Sequence, residues 1–205
     1  ALVQLQAERT DAETGEVLKA RYSTRDMCET ESVMMSVAER LRQARNHGVD
    51  RRHVARAIGR QDAALQKSSG GTSAASDVSA RLSDEQRQAI EYVTGPERIA
   101  AVVGFAGAGK STMLAAAREA WEAQGYRVHG AALAGKAAEG LEESSGIASR
   151  TLASWSRGWE NEKHQLGRGD VFVIDEAGMV GSRLLARFIG EAEQRGAKIV
   201  LVGDH

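Results

Sequence analysis

Apolar positions gather into short runs in the second half of the chain. Four of these stand out, at residues 99–103, 126–133, 171–174 and 199–202. The first and last are continuously apolar, as expected of strands covered on both faces. Between the runs, apolar residues recur at helical spacing instead. Met113, Leu114, Ala117 and Trp121 fall on one helix face, and so do Leu184, Leu185, Phe188 and Ile189. Alternating strands and helices predict an α/β fold with a parallel sheet. Ser83-Asp84-Glu85-Gln86 reads as a capping box, with Ser83 as N-cap and Gln86 at the third helical position. Gly95-Pro96 breaks that helix, and no internal repeat is visible.

The first part of the chain is patterned differently. Residues 1–65 are charged and read as a small, mostly helical connector. Thr24 is placed to cap a helix from Arg25, along which Val33, Met34, Val37 and Leu41 recur at helical spacing. Asn46-His47-Gly48 should end it, and a second helix is expected over residues 50–65. A hairpin within residues 1–22 would turn near Thr14-Gly15. Residues 66–80 include Gln66-Lys67-Ser68-Ser69-Gly70-Gly71-Thr72-Ser73. They bury too little apolar surface to offset ordering, so a flexible linker is expected there. Residues 81–205 then form the α/β domain.

Composition narrows the class. The chain has 205 residues, 42% of them hydrophobic, enough for a core without cross-links. Cys28 is the only cysteine, which excludes an internal disulfide framework or a cysteine-based zinc cluster. No apolar run approaches the ~18 residues of a membrane span, and the first residues lack a basic, then apolar, leader. A bacterial cytoplasmic protein with no membrane partner is the expectation. A net charge of -1 leaves nucleic acid open, because a basic groove can sit on a neutral protein. Ala1 is not a methionine, and the chain stops at Gly203-Asp204-His205 directly after an apolar run. A piece of a longer protein is expected.

Gly104-Phe105-Ala106-Gly107-Ala108-Gly109-Lys110-Ser111 matches G-x-x-x-x-G-K-[ST]. The match has its required setting, after a buried strand and at the start of an amphipathic helix. Glycines permit backbone angles that side chains forbid, so successive N–H groups can turn inward around phosphate oxygens. The following helix adds its positive end. Lys110 can reach the β- and γ-phosphates, and the Ser111 hydroxyl can take one magnesium position. The cofactors implied are a nucleoside triphosphate and Mg2+. Gly104, Ala106, Gly107, Ala108, Gly109, Lys110, Ser111 and Thr112 are the candidate binding residues.

The run at 171–174 ends in Asp175-Glu176. A carboxylate at the carboxyl end of a parallel strand faces the ligand crevice. Asp175 there is a candidate magnesium ligand. Glu176, one residue on, is a candidate base for a water facing the γ-phosphate. P-loop kinases need no such glutamate, so the pair favours hydrolysis over transfer to a metabolite. In motors with this glutamate, another strand is inserted between the phosphate-loop strand and the acidic one, with a γ-phosphate-sensing polar group at its tip. Asp204 stands where that tip would begin.

Together these residues resemble superfamily 1 helicases of the RecD and conjugative-relaxase type. The likeness runs from about Leu82 to His205. Leu82-Ser83-x-x-Gln86 resembles the Q-type motif, in which the glutamine recognises adenine. Residues 103–112 resemble motif I, Asp175-Glu176-Ala177-Gly178-Met179-Val180 resembles motif II, and Leu201-Val202-Gly203-Asp204 resembles the start of motif III. Ala131-Ala132-Leu133-Ala134-Gly135-Lys136-Ala137-Ala138 and Ser149-Arg150-Thr151-Leu152-Ala153-Ser154-Trp155 resemble segments that touch single-stranded DNA. Residues 21–31 resemble the connector ahead of such a motor. The resemblance implies a RecA-like P-loop NTPase domain that uses ATP and Mg2+, with Lys110 and Glu176 catalytic. It also implies single-stranded DNA as partner, and a parent chain supplying a DNA-nicking domain and a second motor domain. Two departures stand out: Ala134 replaces a frequent threonine, and His205 replaces the usual proline after Gly-Asp.

Other residues have two readings. Gln86 can read adenine or serve as a helix cap, and the roles are compatible. Lys136, Arg150 and Thr151 are candidate DNA contacts or solvated surface. Arg40, Arg42, Arg45, Arg51, Arg52, Arg56 and Arg60 form a basic stretch, read first as a charged helix face. Trp121, Trp155 and Trp159 are candidate base-stacking residues. Trp121 lies on an apolar face, however, and the i,i+4 spacing of the other two suits a packing pair. The alternatives are a RecD-like repair helicase fragment, a P-loop ATPase or kinase unrelated to DNA, and a non-catalytic interaction remnant.

Overall fold

Alternation inside the apolar runs determines how the sheet is covered. The computed structural model describes residues 2–11, 15, 17–69, 81–104 and 109–204. Along the chain come β1 (Leu2–Gln6), β2 (Arg9–Thr10), β3 (Val17–Leu18), β4 (Arg21–Thr24), α1 (Arg25–Gln43), α2 (Arg51–Ser69) and α3 (Asp84–Val93). Then follow β5 (Ile99–Gly104), α4 (Lys110–Gln124), β6 (Arg127–Ala132), α5 (Gly135–Ser145), β7 (Ser149–Thr151) and α6 (Leu152–Glu160). The last elements are β8 (Asp170–Ile174), a 3₁₀ turn (Ala177–Met179), α7 (Ser182–Arg195) and β9 (Lys198–Asp204).

Strands β5 to β9 form one parallel sheet in the order β5-β9-β8-β6-β7. This is the expected α/β class, with helices on both faces. Val171, Val173, Val200 and Val202 point to one face, where they pack with α2, α3 and α4. Phe172, Ile174, Ile199 and Leu201 point to the other, against α1, α6 and α7. Successive strand residues face opposite ways, so an unbroken apolar run serves two cores at once.

Three expectations need correction. Residues 66–69 are not linker but the last turn of α2; residues 70–80 lie outside the described residues. β5 is apolar throughout, yet it is an edge strand among the described residues, and Ala101 and Val103 are exposed. The short polar strand β7 was not anticipated, since Ser149-Arg150-Thr151 has no apolar signature. It pairs with β6 at Gly130, Ala131 and Ala132.

The N-terminal segment packs directly against both cores. Thr24 caps α1, its side-chain oxygen accepting from the Met27 N–H at 3.2 Å. Val37 and Leu41 of α1 join Phe188 and Ile189, whereas Val54, Ala57 and Ile58 of α2 join Trp121 and Leu114. Ahead of them, β1 pairs antiparallel with β4, and β2 with β3, making the expected hairpin. Gly15 takes the left-handed conformation at its turn (φ 71°), while Thr14 lies outside the described residues. Much of the basic stretch is ion-paired. Arg40 makes a two-pronged contact with Glu193, and Arg42, Arg45 and Arg52 meet Glu39, Glu97 and Asp50.

The tryptophans are core residues, so the base-stacking reading is overturned. Trp121 is fully buried, and Trp155 and Trp159 nearly so, with ring centroids 6.1 Å apart. Indole N–H groups need partners when buried. Those of Trp155 and Trp159 donate to the carbonyls of Gly130 and His164.

Buried charge sits at the amino ends of the strands. Asp170 opens β8 and is fully buried, accepting from His129 Nε2, Arg127 and the Gly167 N–H. Lys198 opens β9, is also buried, and donates to the Gly95 carbonyl at 2.6 Å. Burial lowers its pKa to about 8. The glycine-bearing and acidic segments leave the sheet at its opposite, carboxyl end.

Candidate functional site

Two strand tips, separated by a third strand, make the site. β5 ends at Gly104, in register with Asp204 on β9. Residues 105–108, including the candidates Ala106, Gly107 and Ala108, lie outside the described residues. The chain is described again at Gly109, which is left-handed (φ 71°, ψ 27°), and α4 starts at Lys110. β8 ends at Ile174, in register with Leu201 of the same β9. Because all these strands are parallel, Lys110 and Asp175 lie at one end of the sheet. Two inter-strand steps separate β5 from β8, about 10 Å.

The start of α4 differs from that of α3. The α3 terminus is self-satisfied, with Ser83 as cap and Asp84 and Glu85 in its first turn. The α4 terminus has neither a side-chain cap bond nor an acidic first-turn residue. Its orphan N–H groups and partial positive charge suit an external anion. Lys110 is half-buried, and its ammonium donates to the Gly104 carbonyl at the end of β5 at 3.1 Å. Ser111 is exposed and Thr112 half-exposed in the first turn.

Gln86 joins this loop to α3. Its Oε1 accepts from the Ser83 N–H at 2.8 Å, and the Ser83 hydroxyl accepts from the Gln86 N–H at 3.2 Å. This is the expected capping box. Its Nε2 donates to the carbonyl of Gly109 at 3.2 Å. Nothing in the spacing pointed to that last contact, which spans 23 positions of sequence.

The acidic pair is held by backbone. The Asp175 N–H donates to the Ala131 carbonyl of β6 at 2.9 Å, which fixes the tip of β8. Asp175 Oδ1 accepts from the Glu176 N–H at 2.9 Å. Glu176 is exposed and left-handed (φ 52°, ψ 37°), a conformation that costs a residue with a Cβ about 1 kcal/mol or more. The left-handed residue leads the chain from β8 into the 3₁₀ turn. The Asp204 side chain and His205 lie outside the described residues.

Lys136, Arg150 and Thr151 belong to α5 and β7, on the β6–β7 side of the sheet, where Arg150 also lines a cleft with Arg127, His129 and Asp170. Lys136 is exposed in the first turn of α5. Thr151 is in register with Ala132 and caps α6, its hydroxyl accepting from the Ser154 N–H at 3.1 Å. Arg150 is exposed, with its guanidinium 5.6 Å from the centre of the Trp155 ring. A second cleft, lined by Arg150 and Thr151, also carries Glu139, Glu142 and Glu143, which offset the charge of Arg150.

Residues 81–205, more than half of the chain, match the family model described as "AAA domain". The chain belongs to the AAA domain family. Relatives of this AAA domain protein come in two kinds. It is 50% identical over 202 residues, 98% of the chain, to the probable conjugal transfer protein TraA of Sinorhizobium fredii. It is likewise 50% identical over 203 residues to the conjugal transfer protein TraA of Rhizobium radiobacter. It is also 32% identical over 127 residues, 60% of the chain, to the ATP-dependent RecD2 DNA helicase of Deinococcus radiodurans. The chain spans 17% of the length of either TraA and 18% of RecD2. The resemblance to RecD-like and conjugative proteins carried by the motifs is borne out. No helix among the described residues is long and apolar enough to cross a membrane.

Proposed function

We propose that this chain is the ATP-binding first RecA-like domain of a DNA helicase motor within a conjugative-transfer relaxase. Residues 81–205 form that domain and residues 1–65 the connector ahead of it. In this reading a longer bacterial, cytoplasmic parent supplies a nicking domain and a second motor domain. One observation carries the proposal: Gly104, Gly109 and Lys110 stand at the same end of one parallel sheet as Asp175-Glu176, with β9 between β5 and β8. The identity to TraA across nearly the whole chain favours a relaxase over a RecD-like repair helicase.

The donor set fits Mg·ATP. The α4 terminus offers uncapped amides, Lys110 an ammonium, Ser111 an exposed hydroxyl and Asp175 a half-buried carboxylate. Gly104, Ala106, Gly107, Ala108, Gly109 and Thr112 complete the candidate binding set, and Gln86 adjoins it through Gly109. Ser111 and Asp175 would hold magnesium, whose chemistry is to neutralise charge on the phosphates. Lys110 would stabilise charge on the transferred phosphoryl group. Glu176, exposed at the next position, would orient and deprotonate water. Lys136, Arg150 and Thr151 would meet the backbone of single-stranded DNA.

An arginine finger is worth about 10³–10⁵ in rate, and in this reading it comes from the second motor domain. The 205-residue chain therefore binds nucleotide but turns it over slowly and unwinds nothing. Calorimetric titration with Mg·ATP tests this, together with a salt series of single-stranded DNA binding. Undiminished ATP binding by Lys110→Ala would remove the loop from the site. ATP binding without any DNA affinity would favour a P-loop ATPase or kinase unrelated to DNA.

A further inference from the structure

A capping box needs only an acceptor at its third position, and glutamate serves there as well as glutamine. Glutamine adds an N–H2 group, and here that group has a specific destination. Gln86 is half-buried, with its two polar ends engaged on different elements. The Ser83 N–H can only donate and the Gly109 carbonyl can only accept, so the amide has one workable orientation. The same Gly109 carbonyl accepts from the Met113 N–H at 3.0 Å, the first helical bond of α4. Gln86 thus takes the second lone pair of the carbonyl that begins the phosphate-loop helix.

Packing brings the two groups close. A Cβ on Gly109 would meet Gln86 Nε2, so with the amide seated on the Gly109 carbonyl the glycine leaves it room, and a larger residue would push the amide aside. Gly109 is also left-handed, which sets the direction of the amides that follow. α3 is a firm bracket for this, because Leu82, Ile90 and Val93 are buried in the same core as Met113 and Leu114 of α4.

We propose that Gln86 is a positioning residue for the phosphate loop: its amide clamps the left-handed Gly109 and thereby strengthens binding of the polyphosphate itself, independently of any base. The proposal rests on the ATP-binding reading above and goes beyond the adenine-reading role that the motif resemblance implies.

Mg·tripolyphosphate, which has neither base nor sugar, separates the two roles. Binding of Mg·ATP and Mg·tripolyphosphate is measured by calorimetry for the full 205-residue chain and for Gln86→Met, Ser83→Ala and Lys110→Ala. Gln86→Met removes the donor without adding charge and should weaken both ligands by a similar factor, about three- to tenfold for one hydrogen bond. Ser83→Ala removes the hydroxyl half of the cap but leaves the Gln86 amide in place. It should lower the melting temperature while keeping both affinities. If Gln86→Met weakens ATP alone, the side chain reads the base and the clamp is refuted. If both affinities fall equally in Ser83→Ala, the effect belongs to the helix cap and the clamp is again refuted. Wild-type binding that Lys110→Ala leaves intact would instead reject the loop reading, and the clamp with it.

Discussion

The fully buried carboxylate of Asp170 accepts from His129 Nε2 at 2.9 Å, joining the first residue of β8 to β6 at the end of the sheet remote from the glycine loop. Arg127 and the Gly167 N–H complete its partners. Asp170→Ala removes the acceptor from His129 and the Gly167 N–H beside a cleft that water can enter, and should cost about 2 kcal/mol in urea unfolding. Mg·ATP affinity, measured where the variant is still folded, should not change. A large loss of affinity would mean that the two ends of the sheet are coupled.

Gly109→Ala meets two obstacles, a left-handed backbone and the Gln86 amide. It should lower stability by about 1–2 kcal/mol and weaken Mg·ATP at least about threefold, as the Gln86 amide swings aside and its bond to the Gly109 carbonyl is lost. Adding Gln86→Ala should not sum with it, because contacting residues couple. Additive affinities in the double variant would show that the two side chains act apart.

Glu176 offers a test of stored strain. Glu176→Ala keeps the left-handed penalty and Glu176→Gly relieves it. The glycine variant should therefore be more stable than the alanine variant by about 1 kcal/mol. Both should still bind Mg·ATP, since Glu176 is assigned to water rather than to the nucleotide. Equal urea midpoints would indicate that the position relaxes once the carboxylate is gone.

Lys198 makes stability depend on alkaline pH. Its folded pKa, about 8, lies below the ordinary 10.5. Above 10.5 the amine is neutral in both states. As pH falls from there, the unfolded chain takes up a proton that the folded chain refuses until about pH 8. Stability should thus decline by up to about 3 kcal/mol over that window and level off below it. Lys198→Met should lack this part of the slope. Unfolding midpoints at a few pH values between 8 and 10 give the comparison, and parallel profiles for the two proteins would contradict the burial argument.

Much of the sheet was legible because its strands are apolar on both faces and its helices apolar on one. The runs around Val173 and Val200 needed no further information, and neither did the Ser83 cap, whose chemistry is local. Position within the sheet was harder. Ala101 and Val103 have strand character wherever they lie, so their exposure at an edge has no local signature. β7 forms because β6 offers it a free ladder, a nonlocal cause invisible in Ser149-Arg150-Thr151. At the site, glycine spacing and paired carboxylates marked the residues, whereas the contact of Gln86 with Gly109 and the twist at Glu176 arise only when distant segments meet.

The family match begins at residue 81, yet α1 and α2 lie wholly before it. A polypeptide trimmed to the family limits would lose a greasy lid from each side at once: Val37 and Leu41 on one, Val54 and Ile58 on the other. It would leave the ribosome with two bare patches and should precipitate where the longer chain stays dissolved. Nature's working unit here is larger than the signature by which it is recognised.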